Sequence, residues 1–198
     1  MAYSDFSLRK VLQDFALSTQ DATFLPPISP IAPSPYLSDF LERSLPLAIA
    51  LDNEKARSET LVFPVLLEVR EILQRQISLF SGSDFTVDPA LGLNGTCDYL
   101  ISQSAEQMVI RAPVAIIIEA KKGDLTSGMG QCVAEMLAAQ KFNQQQGNAI
   151  TTIYGSVTTG SLWRFLKLDN QRVTFDLKEY TMPPVDTILG ILVQMAAG

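Results

Sequence analysis

Apolar residues recur at three- and four-residue intervals in several parts of the chain, which is the spacing of one face of an α-helix. The longest such pattern covers residues 52–80, where Pro64 predicts a kink or the restart of the helix and Ser81-Gly82 predicts its end. The same spacing predicts helices over residues 1–20, 37–50, 127–146 and 184–197. Ser38 is the candidate N-cap of the second of these helices.

Shorter runs have the composition of β-strands, at residues 85–87, 97–102, 109–121, 149–158, 161–168 and 171–177. Residues 114–118 are almost entirely apolar and β-branched, which is typical of a central strand covered on both faces. The tight turn Thr159-Gly160 joins two of the later strands. Strands, a crossover helix and further strands in this order predict an α/β fold with a mixed central sheet flanked by helices.

The segment from Phe24 to Tyr36 contains five prolines, so it is neither a regular helix nor a central strand. Only about 23 residues precede it, too few for an independent fold. We therefore expect residues 1–51 to form a helical arm with a Pro-rich loop, packed on a main domain that covers residues 52–198.

Composition narrows the chemistry available to this chain of 198 residues, of which 47% are hydrophobic and 18% charged. The chain has no histidine, which excludes Ser-His-Asp and Cys-His catalysis and nucleases with a histidine base. Its two cysteines, Cys97 and Cys132, lack metal-site spacing and are expected to be buried as small hydrophobic residues. Any hydrolytic chemistry must therefore use carboxylates, lysine and a hard metal ion.

Charge and apolar patterning also bear on partners and location. The net charge of −6 argues against tight non-specific DNA binding by the isolated chain, although a local basic patch would be compatible with it. No apolar run reaches the length of a membrane span, and the N-terminus lacks the pattern of a secretory signal. A cytoplasmic location without membrane contact is the expectation.

Asp98, Glu119 and Lys121 are the best candidates for a catalytic site. Glu119 and Lys121 end the buried run 114–118, and alternation along a strand directs both side chains to the same face. If the strand that carries Asp98 pairs beside it, two carboxylates and one ammonium meet at one end of the sheet. Such a group can bind Mg²⁺ and support attack of water on a phosphate.

The pattern Gly95-x-x-Asp98, followed about twenty residues later by Glu119-Ala-Lys121, resembles the signature of the PD-(D/E)XK nuclease superfamily. Over about residues 52–168 the chain is especially similar to the N-terminal-like proteins of type I restriction enzyme R subunits, in which a Gly-Gln helix follows the strand. Thr96-Cys97 stands where the superfamily often has a Pro-Asp dipeptide.

This resemblance implies a restriction-endonuclease-like three-layer core and Mg²⁺- or Mn²⁺-dependent hydrolysis of DNA. It implies that Asp98 and Glu119 bind the metal, that Lys121 is the catalytic lysine and that Gln131 is a secondary site residue. A further metal-linked acid belongs to the first helix, where Glu59 is the first choice and Glu54 the alternative. The resemblance also suggests a homodimer, although nothing in the sequence itself indicates one.

Alternatives remain open for the function and for each site residue. The acidic charge and the Pro-rich arm also fit a nuclease fold that has become a binding or regulatory module acting with a protein partner. Asp98 can be read as a turn residue, and Gln131 as a solvent-facing or capping residue. Glu59 can be read as an acid favoured by the dipole of its helix.

Overall fold

The computed structural model describes residues 1–148 and 150–197, which build a seven-stranded mixed sheet in the order β1-β7-β6-β5-β4-β3-β2. Neighbouring strands are antiparallel except for the parallel pairs β1–β7 and β4–β5. The strands are β1 Ser18–Asp21, β2 Ser78–Asp84, β3 Thr96–Ser102, β4 Val114–Ala120, β5 Thr152–Thr158, β6 Leu162–Asp169 and β7 Arg172–Thr181. The helices are α1 Leu8–Asp14, α2 Pro35–Leu51, α3 Glu54–Arg57, α4 Phe63–Ile72, α5 Leu125–Gln145 and α6 Asp186–Ala197.

Helices cover both faces of the sheet and create two hydrophobic cores. The central strand β4 contributes to both, because alternate side chains point in opposite directions. Ile116 and Ile118 pack with residues of α2, α4 and α6, whereas Ile117 packs with residues of α1 and α5. The prediction of an α/β fold with a mixed sheet between helical layers is confirmed.

Helix α5 makes the crossover between the parallel strands β4 and β5, and two features hold it close to the sheet. A Cβ at Gly155 on β5 would lie 2.4 Å from Met136 Sδ, so only glycine allows this approach. The buried side chain of Asn143 accepts a hydrogen bond from Val114 N and donates one to Val114 O, both at 2.8 Å. The end of α5 is thereby fixed to the start of β4.

The helical pattern around Pro64 divides as the sequence indicates. A π-helical turn, Ser58–Val62, links α3 to α4, and Pro64 lies in the first turn of α4. Proline has no N–H to donate to the carbonyl of Thr60, so the helix cannot continue its regular bonding there. Phe63 N bonds instead to Ser58 O, five residues back, and the helix restarts as predicted.

The predicted helix over 52–80 and the predicted strand at 85–87 are wrong in their boundaries. The helix ends at Ile72, and Gln74 and Arg75 follow with positive φ values of 52° and 59°. Residues 78–84 then form β2 against β3, and residues 85–87 lie outside the strands. Apolar positions at 72, 73, 77 and 79 fit helical and strand spacing equally well, and pairing with β3 decides for the strand.

Other boundaries also differ from the prediction. The N-terminal pattern predicted a helix over 1–20, but Ser18–Asp21 is an exposed edge strand parallel to β7. Ser34, and not Ser38, caps α2 by accepting a hydrogen bond from Leu37 N at 3.2 Å. The strand predicted over 109–121 is shorter, at Val114–Ala120. The first position of the strand predicted over 149–158 lies outside the described residues, as does position 198.

The N-terminal 51 residues contribute to three parts of the fold: α1 packs on α5, β1 extends the sheet, and α2 contacts the helical segment that follows it. Cys97 and Cys132 are free and buried, as expected. Within residues 1–148 and 150–197, no helix has both the length and the apolar character of a membrane span.

Candidate functional site

The pairing of β3 with β4 brings Asp98 next to the end of the central strand. The ladder between the two strands runs to Tyr99 and Ile118. Just beyond it, Asp98 Oδ2 accepts a hydrogen bond from Ala120 N at 2.9 Å. The carboxylate therefore bonds to the last residue of β4, beside Glu119.

Glu119 and Lys121 form an ion pair at this end of the sheet, with 2.5 Å between Lys121 Nζ and Glu119 Oε1. Only 1% of the Glu119 side chain is exposed, against 19% of Lys121. Room for the lysine comes from Gly128 on α5, where a Cβ would lie 3.0 Å from Lys121 Cγ. The three residues that the sequence singled out are thus close neighbours.

A second buried carboxyl, Glu135, lies behind this pair and was missed by the sequence analysis. Its side chain is completely buried on α5, and Gln131 Nε2 donates a hydrogen bond to its Oε1 at 3.0 Å. Gln131 therefore contacts Glu135 and reaches the acidic group through it. The sequence contained a signal for this contact, because Gln131 and Glu135 are four positions apart and therefore share one face of the helix. Glu135 is also an acid among small apolar residues.

One oxygen of each buried carboxyl has no hydrogen-bond partner in the described part of the chain: Oε2 of Glu119 and Oε2 of Glu135. Burial raises the pKa of Glu119 most, the charge of Asp98 raises it as well, and Lys121 acts in the opposite direction. Burial likewise raises the pKa of Glu135 well above its usual range, with Glu119 adding to the effect. Two adjacent acids with one cation cannot both ionise cheaply.

At neutral pH a proton is bound by Glu135 and not by Glu119. Burial lowers the pKa of Lys121, but the neighbouring Glu119 charge and its hydrogen bond outweigh this, and the net shift is upward. Glu119 is thus stabilised as a carboxylate by a charged ammonium, whereas Glu135 has the neutral amide of Gln131 as its partner. We therefore assign Glu119 as ionised and Glu135 as a carboxylic acid near pH 7.

The N-terminal arm closes the rear of this site. Tyr3 is 1% exposed, donates its hydroxyl hydrogen to Phe85 O, and bonds through its backbone N to Asn94 O. Burial raises the pKa of Tyr3, and the nearby Cys97 and Glu135 add to that shift. A region outside the predicted main domain therefore packs on α5 near the buried acid.

On its open side the site meets a cleft of about 460 Å³, and Asp98 and Ala120 are part of its wall. The two candidate acids of the first helix, Glu54 and Glu59, line the same cleft. The charge of Glu54 acts on both Glu119 and Lys121. Glu59 is largely exposed and pairs with Lys55 at 3.7 Å, so Glu54 is electrostatically the closer acid.

Among residues 1–148 and 150–197, no group of three or more Asp, Glu, Cys or His side chains is arranged to hold a metal ion. The oxygen donors present are those of Asp98 and the unpartnered Oε2 of Glu119. Two carboxylates suit Mg²⁺, which commonly takes one or two protein carboxylates and completes its shell with water and phosphate oxygens. The residues therefore fit a metal held jointly with a phosphate group.

Comparison of the chain with models of protein families, with curated proteins and with solved structures gave no match.

Proposed function

We propose that this chain is a metal-dependent nuclease of the PD-(D/E)XK type that hydrolyses phosphodiester bonds in DNA. The observation that carries the proposal is the contact between Glu119 and Lys121 at the end of a buried strand, with Asp98 bonded to the residue between them. A buried ion pair costs desolvation energy that apolar residues in its place would avoid. The packing of the sheet provides no reason for these charges, whereas phosphate chemistry does.

The architecture supports the finer fold assignment. A restriction-endonuclease-like core would have its acids on neighbouring strands of a mixed sheet with helices on both faces. Here β2, β3 and β4 form an antiparallel unit, α5 crosses over to the parallel β5, and helices cover both sides. The acids lie at the carboxyl end of β4, where ligands of open α/β sheets commonly bind.

In this proposal Asp98 and Glu119 would hold Mg²⁺ or Mn²⁺. The ion, when bound, lowers the pKa of water and stabilises the charge that develops on phosphorus. Lys121 orients the attacking water and offsets negative charge on the transferring phosphate. The attacking water loses a proton to solvent and its oxygen forms a bond to phosphorus, while the bond to the leaving sugar oxygen breaks and that oxygen takes up a proton from solvent.

The first test compares DNA cleavage by wild type and Lys121→Ala in Mg²⁺ or Mn²⁺, with single- and double-stranded substrates. Lys122→Ala is a matched control, because Lys122 is the adjacent lysine, is 59% exposed and pairs with Asp52 instead. We expect Lys121→Ala to lose cleavage by a factor of about 100 or more and Lys122→Ala to retain it. Equal cleavage by wild type and Lys121→Ala would mean that the activity belongs to a contaminant.

The role of the first-helix acid can be resolved by metal titration. Calorimetry of wild type, Asp98→Ala, Glu54→Gln and Glu59→Gln, with and without a non-hydrolysable DNA, measures which carboxylates contribute. We expect Asp98→Ala to abolish binding and Glu54→Gln to weaken it more than Glu59→Gln. A larger loss from Glu59→Gln would instead favour the acid that the resemblance put first.

A second candidate function is a regulatory module on a nuclease fold that no longer cleaves DNA. The observation that favours it is the missing third metal-ligand side chain within residues 1–148 and 150–197, in a chain of net charge −6. Absence of metal binding even with DNA present, together with a stable stoichiometric complex with a protein partner, would select this alternative.

A further inference from the structure

Helix α2 carries an apolar surface that the fold leaves exposed. Only Leu37 and Ala48 of this helix are buried. Leu47, Ile49 and Leu51 are all more than half exposed, at 54%, 54% and 52%. Leu47 and Leu51 are four positions apart and share one side of the helix, whereas Ile49 lies on the other side.

A groove runs along one side of the same helix and encloses about 540 Å³. One wall is the face of α2 that carries Leu41, Leu45 and Pro46, and the other is residues 182–186, which include two consecutive prolines. Ile49 follows Leu45 by four positions, so it continues the same face of the helix beyond the groove. The groove and Ile49 therefore form one surface, which we call the α2 surface, whereas Leu47 and Leu51 lie on the other side of the helix.

The charged residues lining the groove, all of them in the described part of the chain, are acidic. Glu42 and Asp186 lie at the groove, and no lysine or arginine is among its lining residues. Arg43, the basic residue of α2, bonds to Asp39 on the same helix at 2.9 Å and so adds no unbalanced positive charge. The α2 surface thus combines an apolar floor with an acidic rim.

We propose that the α2 surface docks an amphipathic, positively charged helix of a partner protein. A groove walled by a helix and a proline segment accepts the apolar face of such a helix, and the acids at the rim complement its basic residues. A small molecule would fill the groove and leave Ile49, on the same face of α2, exposed. A second copy of this chain would bring acid against acid, because the chain has net charge −6.

The test uses a synthetic helical peptide of leucine and lysine, about five turns long with its leucines on one face. A matched peptide has glutamate in place of each lysine. Fluorescence anisotropy measures the binding of both peptides to wild type, Glu42→Lys, Ile49→Ser and Glu106→Lys. Glu106→Lys makes the same change of charge as Glu42→Lys at an exposed position outside the groove, and thermal melts check that each variant is folded.

We expect the basic peptide to bind wild type and Glu106→Lys equally, and the acidic peptide to bind neither. Glu42→Lys and Ile49→Ser should each weaken binding on the order of tenfold. Equal binding by all four proteins would overturn the proposal, because it would reduce the interaction to general charge attraction. Absence of binding, or a dimer in sedimentation that Ile49→Ser abolishes, would also overturn it, the latter in favour of a second copy as the occupant.

Discussion

Replacement of Glu135 by glutamine tests the assignment of a buried proton to this site. The variant keeps the shape of the side chain and can keep the hydrogen bond with Gln131, but it cannot ionise. In wild type the folded protein binds a proton that the unfolded chain releases near the ordinary pKa of glutamate, 4.5. Stability should therefore be greatest at acidic pH and decline as the pH rises, which is opposite to the usual behaviour of a salt-bridged acid.

The size of the effect depends on the proton that Glu135 keeps in the folded protein. Because burial raises the pKa of Glu135 above that of the unfolded chain, the free energy of unfolding falls by about 1.4 kcal/mol for each pH unit between the two pKa values. No histidine contributes to this pH dependence, because the chain has none.

Urea unfolding at several pH values from about 5 to about 8 measures this slope. We expect wild type to lose stability steadily across the series and Glu135→Gln to be nearly flat, with the two proteins diverging most at the alkaline end. Glu106→Gln, an exposed acid, should parallel wild type. A flat wild-type profile, or the same slope in Glu135→Gln as in wild type, would refute the assignment of the buried proton to Glu135.

Three substitutions test the packing around the site. At Gly130 a Cβ would lie 2.3 Å from Phe6 O, so Gly130→Ala should destabilise the protein by about 2 kcal/mol despite its better helix propensity. Gly123→Ala, where the Cβ would meet open space, should be neutral in the same urea assay. A stabilised Gly130→Ala would contradict the close contact. Asn143→Ala leaves two buried backbone groups of Val114 unpaired and should cost about 3 kcal/mol, whereas the exposed Gln144→Ala should stay within about 0.5 kcal/mol of wild type. Gly128→Ala would push on Lys121, so DNA cleavage should fall on the order of tenfold, and unchanged cleavage would separate Lys121 from the chemistry.

The sequence predicted those parts of the fold in which one local pattern has one solution. The run 114–118 is apolar on both faces, and it is the central strand. Helix α5 begins at Leu125, directly after its N-cap Asp124, and ends before Gly147, close to its predicted limits. Residues 78–80, the start of β2, were assigned to a helix because their apolar spacing suits either structure, and only pairing with a distant strand resolves it.

The difference between local sequence patterns and long-range packing also explains which residues of the site the sequence identified. The sequence brought Asp98, Glu119 and Lys121 together because Asp98 lies on one predicted strand, and Glu119 and Lys121 lie at the end of the next strand. Glu135 and Tyr3 belong to elements that reach the site only through tertiary packing, one from the crossover helix and one from the N-terminal arm. No pattern within a single element reveals that these two side chains meet, so sequence reasoning could at most mark Glu135 as an unexplained acid on a helix of small residues.

The arm and the buried acid together determine how the proposed site can bind a cation. Tyr3 lies near Glu135, burial keeps Glu135 protonated, and the ammonium of Lys121 stabilises Glu119 as the ionised carboxylate. In the proposed site, an ion held by Asp98 and the unpartnered Oε2 of Glu119 would share this carboxylate with Lys121, which contacts Oε1. The ion would weaken the attraction between Glu119 and the ammonium, which would then be available to a phosphate. A protein with a phosphate already in the cleft should therefore bind the metal more tightly than the protein alone, by the reciprocity that links any two ligands of one site.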